Sequence, residues 1–416
     1  MFKYFLSLCM AAWPALALAG ALAPSPVPEP TGPLTLEAAL ALAADANADL
    51  SAARHELLAV DGAVQQAGLL PNPSLSVERV DTRRSNSSDA RETTVLLSQP
   101  LELGGKRQAR VQAAQRERDS ASAQLGARRA DIRADVIDGW FAVLAAQEQL
   151  RLAGEASELA QRAAAATGRR VVAGKVSPVE ETRAQVAAST VKLDLLRARS
   201  TLAIARKRLA AMWGNPAPRF EKADGDLDTL PSLPDQALLH HRLAQAPGMA
   251  LARAELDRRQ ALAKVELSRR IPDVTLTVGS KRSEELGRSQ AVVGISVPLP
   301  FFDRNQGNVL ETARRVDKAR DELSSTALRL DAELAQARED FDVARQQALA
   351  LRSEIVPGAQ SAYAAASTGF DYGKFGFLDV LDAQRTLLQA KSQYLNALAQ
   401  AHRAKAAIGR ILGEDQ

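Results

Sequence analysis

Ala291, Val293, Ile295, Val297 and Leu299 alternate with Val292, Gly294, Ser296 and Pro298. A period of two predicts a strand with one apolar face. Strand-like runs are predicted at 73–80, 93–101, 273–279 and 290–299, paired into hairpins over 73–101 and 273–299. Polar tips rich in Ser, Arg, Asp and Glu separate the strands of each pair, at Asp81–Arg91 and Ser280–Ser289. Elsewhere the pattern is helical. Segments near 35–70 and 236–271 run into a proline, and very long helices are predicted at 104–168 and 304–368. Tip turns at 169–177 and 369–376 lead into last helices at 178–213 and 377–412.

The order of elements occurs twice. Leu70-Pro71-Asn72-Pro73-Ser74-Leu75 resembles Ile271-Pro272-Asp273-Val274-Thr275-Leu276, and Gly174-Lys175 resembles Gly373-Lys374, each about 200 positions apart. Such self-similarity marks two copies of one unit. The chain divides into a signal peptide (1–19), an extended segment (20–34), a first repeat (35–213), a Pro-rich linker (214–235) and a second repeat (236–416).

Length decides the architecture. Sixty-five helical residues span on the order of 100 Å, with two shorter helices stacked alongside. The fold class is therefore mainly α with a small β part, a tall body of antiparallel helices. Four strands are too few to close a barrel, and an open sheet edge cannot face lipid. Strands placed in a membrane must be pooled, and three chains would supply twelve, within the range of outer-membrane barrels. Four soluble edge strands are the alternative.

Composition agrees with long, closely packed helices. Aromatics are 4% of residues, AVILMFWYC 46% and charged residues 25%. A net charge of +4 without a basic block gives no footing for nucleic acid. Lys3, the apolar Phe5–Leu18 and Ala17-Leu18-Ala19 read as an export signal, and the single cysteine, Cys9, lies inside it. No lipid anchor is expected, because Leu8 is not the small residue that a lipidated cysteine requires before it.

Chemistry-bearing constellations are not found. Gly168 to Lys175 misses the phosphate-loop spacing and is followed by Val176. His55, His240, His241 and His402 form no ligand set, and Met212 and Met249 are the only methionines beyond the signal. No catalytic, cofactor or metal residue is predicted, and no enzyme. The distinctive residues sit at transitions instead: Pro100, Gly104, Gly105, Pro298, Pro300 and Gly307 where strand becomes helix. Phe301 and Phe302, at the same level, suit either a membrane-interface band or core packing.

Tyr372–Gln384, its weaker partner Gly174–Glu180, Leu101–Arg107 and Pro298–Asn308 together resemble the TolC-type outer-membrane efflux family, and the last two its heavy-metal, CzcC-like branch. The resemblance covers nearly the whole mature chain. It implies a homotrimer with a twelve-stranded barrel in outer-membrane lipid and a helical tunnel crossing the periplasm. It also implies a periplasmic adaptor (membrane fusion) protein and an inner-membrane resistance-nodulation-division pump. The chain would be a passive, gated exit duct for heavy-metal cations, or alternatively for drugs or other small molecules. A periplasmic coiled-coil scaffold without a pore is the rival reading.

The adaptor is expected at the tips, through Gly174, Lys175, Ser177, Gly373, Lys374 and Gly376, because glycine lets another chain approach closely. The periplasmic gate is expected at Asp379 and Asp382, three apart on one helix face, with Glu180 at the same height in the other repeat. Rings of these carboxylates would favour cations. Phe375 stands where relatives carry a basic gate residue. Pro357, present in one repeat only, is expected to kink the second long helix.

Overall fold

The computed structural model describes residues 29–84, 87–284 and 287–413. The signal segment and Cys9 lie outside the described residues. The first repeat runs α1 (Leu36–Ala46), α2 (Ala48–Ala67), β1 (Ser74–Arg84), β2 (Ser87–Leu101), α3 (Lys106–Val172) and α4 (Pro178–Ala211). The second runs α5 (Gln236–Leu243), α6 (Pro247–Ser268), β3 (Val274–Ser283), β4 (Arg288–Ser296), α7 (Gln306–Ala350), α8 (Val356–Asp371) and α9 (Phe377–Leu412).

Several boundaries differ from those read in the sequence, each for a local reason. The helix expected from 35 to 70 is broken at Asn47, whose side chain caps α2 by accepting from the Asp49 and Leu50 amides, both at 3.0 Å. Pro247 likewise opens α6 and separates it from α5. The polar stretches expected as hairpin tips are largely strand, paired as far as Arg84 with Ser87 and Ser283 with Arg288. Polar residues pair as well as apolar ones where a strand stands in water. β4 ends at Ser296 because Pro298 and Pro300 lack the amide that a ladder requires. The long helix of the first repeat continues to Val172, so its tip turn is shorter than expected.

The four strands form one antiparallel sheet in the order β1-β2-β3-β4. Its register aligns Leu75, Leu97, Val278 and Val293 in one row. Adjacent rows on that face hold Val77 with Val95, and Leu276 with Ile295. All eight side chains are exposed. The opposite face is mostly polar and half-buried along β2 and β3, with Ser98, Thr277 and Gly294 in one row and Thr94, Lys281 and the exposed Gln290 in another. A sheet with its apolar face outward inverts the order of a water-soluble protein. Gly279 sits beneath Leu96 of β2, and a Cβ there would overlap the Val95 carbonyl.

Left-handed residues turn the chain from sheet to helix at both junctions. Gly104 (φ +68°) and Gly105 (φ +72°) serve the first, and Gly104 also leaves no room for a Cβ against Ile271. Asn305 (φ 58°) takes the left-handed position at the second, whereas Gly307 lies inside the first turn of α7 with open space around it. Asn305 is held by its side-chain amide, which donates to the Glu266 carbonyl at 2.8 Å. Pro100 is within β2, paired with Thr275. Phe301 and Phe302 are 69% and 94% exposed, which removes core packing as their role.

The helical body has its main core at mid-height. Val136, Trp140, Val143 and Leu209 pack with Leu34 and Phe220. The segment 214–235 lies against α3 here: Leu34 and Ala223 form a parallel bridge, and Gln147 both donates to the Ala223 carbonyl (3.0 Å) and accepts from its amide (2.7 Å). The Trp140 ring fills the space a side chain on Gly225 would need. In the second repeat Leu239, Leu330, Phe341 and Ile408 play the corresponding part. No described helix is long and apolar enough to cross a membrane.

Candidate functional site: the tip turns and the acidic face of the last helix

At the end remote from the sheet, α3 and α8 stop in the same way. Gly174 (φ +68°) follows α3, its amide bonding to the Val171 carbonyl while that of Lys175 bonds to Arg170. Gly373 (φ +75°) follows α8, its amide bonding to Phe370 and that of Lys374 to Gly369. Each pair of bonds closes a Schellman turn, which requires a left-handed residue where only glycine is unstrained. Ser177 then caps α4, its hydroxyl accepting from the Val179 amide at 3.3 Å. Gly376 takes that position before α9, and Asp379 supplies the missing cap by accepting from the Gly376 amide at 2.9 Å. Gly174, Lys175, Ser177, Gly373, Lys374 and Gly376 are all exposed, an open backbone surface at the tip.

Asp379 and Asp382 lie one turn apart on α9, and both are exposed. Asp382 lines a groove of about 980 Å³ between α3, α4 and α9, together with Asp194, Arg197 and Arg385. Glu180 is half-buried and forms its ion pair within α4, with Arg183 at 3.1 Å. The two aspartates are thus neighbours on α9, and Glu180 is paired on its own helix. Phe375, 49% exposed, folds back onto Gly369, where a Cβ would overlap its ring.

Sequence reasoning passed over Arg170. Its guanidinium donates to the Phe370 carbonyl at 3.0 Å and lies 3.9 Å from the centre of the Phe370 ring, joining the two tips of one chain. The available signal was the repeat itself, for Arg170 stands in the first copy where Gly369 stands in the second. Above the second tip, Leu351–Ile355 form a π-turn that ends with the Val356 amide bonded to the Leu351 carbonyl. Pro357 follows directly, at the second position of α8. The wider turn is how the helix absorbs a proline that can neither donate nor tolerate the usual carbonyl beside its ring.

Among the described residues no group of three or more His, Cys, Asp or Glu is placed to hold a metal ion. The profile of the outer membrane efflux protein family matches residues 39–215 and again 238–414. The chain belongs to this family. The motif resemblance noted in the sequence thus holds, and both matches coincide with the two copies of the repeat. The cobalt-zinc-cadmium resistance protein CzcC of Cupriavidus metallidurans is 49% identical over 382 residues, 92% of this chain and 90% of that protein. The nickel and cobalt resistance protein CnrC of the same organism is 30% identical over 305 residues, 73% of this chain and 71% of that protein. The fold is that of the crystallised channel protein CusC, with a TM-score of 0.79 at 19% identity over 95% of this chain and 100% of that one. As a member of the family, this chain is an outer-membrane efflux channel component.

Proposed function

We propose that three copies of this chain form the exit duct of a tripartite pump that expels heavy-metal cations across the outer membrane. The sheet carries the reading: its exposed face is apolar and its other face polar. Its outer strands, β1 and β4, leave unpaired edges that only further copies can close in lipid. Exposed Val186, Leu193, Leu196 and Ile204 on α4 fit burial against a neighbouring chain. After the leader 1–19 is removed, the chain would be held by the barrel alone, without a lipid anchor.

A periplasmic adaptor would dock at the open tip turns and connect the duct to an inner-membrane resistance-nodulation-division pump, which supplies the energy. Substitution of Gly174 or Gly373 would itself strain the turn, so charge is the better probe. Lys175→Glu with Lys374→Glu should leave the trimer assembled and abolish cross-linking to the adaptor. Asp379 and Asp382 would ring the periplasmic entrance, on the copy of the repeat that carries the π-turn and Pro357.

Cations are favoured as cargo by the 49% identity to a cobalt-zinc-cadmium resistance protein. Deleting the gene should sensitise cells to cobalt, zinc or cadmium, and the intact gene should restore growth. Sensitivity confined to organic drugs or dyes would replace metals with small organic molecules as the exported class.

A further inference from the structure

Where the sheet meets the helical body, the end of α6 and the chain leaving β4 enclose an open cleft of about 660 Å³. Leu267 and Ile271 line one side, Leu299 and Phe301 the other, and Arg270 and Arg304 complete it. Leu299 follows Val293, Ile295 and Val297 in the odd-numbered, exposed row of this segment. The cleft thus continues the apolar outer face of the sheet at its helical end.

Basic residues at this level fall into two groups. Lys106 pairs with Asp273 at 2.7 Å, Arg110 with Glu102 at 2.5 Å and Arg269 with Glu266 at 2.6 Å. Among the described residues, Arg270 and Arg304 form no ion pair with a carboxylate. Both are exposed, and the one side-chain bond recorded for Arg304 is from its Nε to the Pro300 carbonyl at 3.3 Å. Two uncompensated guanidiniums beside an apolar wall match a molecule with a phosphate at one end and hydrocarbon at the other. A small anion would not call for the wall. A further copy of the chain would pair in the plane of the sheet, through backbone groups, and leave the outer face open.

We infer that this cleft binds an anionic glycerophospholipid of the inner leaflet, its phosphate against Arg270 and Arg304 and its chains along Leu299 and Phe301. The inference rests on the reading of the sheet as a barrel wall. Native mass spectrometry of the intact detergent-solubilised protein, titrated with phosphatidylglycerol or phosphatidylcholine, tests it. The parent should bind about one phosphatidylglycerol per chain in preference to phosphatidylcholine. Arg270→Gln with Arg304→Gln should weaken phosphatidylglycerol binding roughly twenty-five-fold, from about fivefold per arginine, and weaken binding of phosphatidylcholine, whose choline cation already offsets its phosphate, far less. The double lysine variant should retain most of the preference. Unchanged phosphatidylglycerol binding in the glutamine variant, or its displacement by millimolar inorganic phosphate, would overturn the inference. Planar-bilayer recording separates this from the channel reading: a parent that conducts while failing the lipid assay loses only the cleft, whereas a parent that never inserts loses both.

Discussion

Arg170 and Phe370, two hundred residues apart in sequence, meet where the two repeats end, the guanidinium 3.9 Å from the ring centre. The contact joins the last turn of α3 to the last turn of α8. Arg170→Ala should cost roughly 2–4 kcal/mol locally, the sum of a cation–π contact and a bond from a charged donor. Protease sensitivity of the tip should rise and single-channel conductance increase, while the sheet signal in circular dichroism stays unchanged. Conductance equal to the parent's would mean that this contact does not restrain the entrance.

Asp379→Asn with Asp382→Asn addresses the acidic face. Both carboxylates are exposed and lie in successive turns, so in a symmetric pore they would form stacked rings. The double variant should conduct more, select cations less and escape block by multivalent cations. Because Asp379 also caps α9 through the Gly376 amide, Asp382→Asn alone provides the variant free of that complication, with a partial effect in the same direction.

Gly279 reports on the sheet. Its neighbour across the strand pair leaves no space for a side chain. Gly279→Val should destabilise pairing of β2 with β3 by about 1–3 kcal/mol and reduce the heat-resistant oligomer seen by gel electrophoresis. Gly294→Val, where only the Thr277 Cβ lies nearby at 3.8 Å, should assemble normally.

His402 gives a pH dependence. It is buried, stacked on Phe141 with ring centres 3.8 Å apart, and its Nε2 has no bonding partner. Burial holds it below its usual 6.5; Lys405 lowers it further, while Asp226 and the backbone of Leu227 and Thr229 oppose the shift. The unfolded chain then takes up the proton first, so stability is full above pH 6.5 and is lost as pH falls through the lowered native value. Melting temperatures of the parent should drop across that window more than those of His402→Phe. Parallel curves would show that the ring's protonation does not contribute.

Much of this architecture is legible in the sequence because it is periodic or repeated. The alternation around Val293 marks a strand, and Gly174 with Gly373 mark helix ends, since both signals are local. Contacts between distant segments leave no such trace. Trp140 over Gly225, Arg170 against Phe370 and Asn305 in a left-handed turn depend on what the folded chain places opposite them. The strands also proved longer than the apolar alternation implied, because hydrogen bonding continues through polar residues while the hydrophobic pattern fades. Asp379 and Asp382 could be singled out as a face of α9, whereas the pairing of Glu180 with Arg183 on α4 is a choice among side-chain partners that the sequence does not make.

The unpaired borders of β1 and β4 also bear on how the protein is made. A solitary chain offers the membrane two rows of unsatisfied amides and carbonyls beside an oily surface, so it is poorly suited to water and to lipid alike. Bilayer residence should accordingly be cooperative in the number of chains. Newly exported copies would accumulate, escorted, in the periplasm until enough neighbours are present. At low expression the yield of channels should fall more steeply than the amount of protein synthesised.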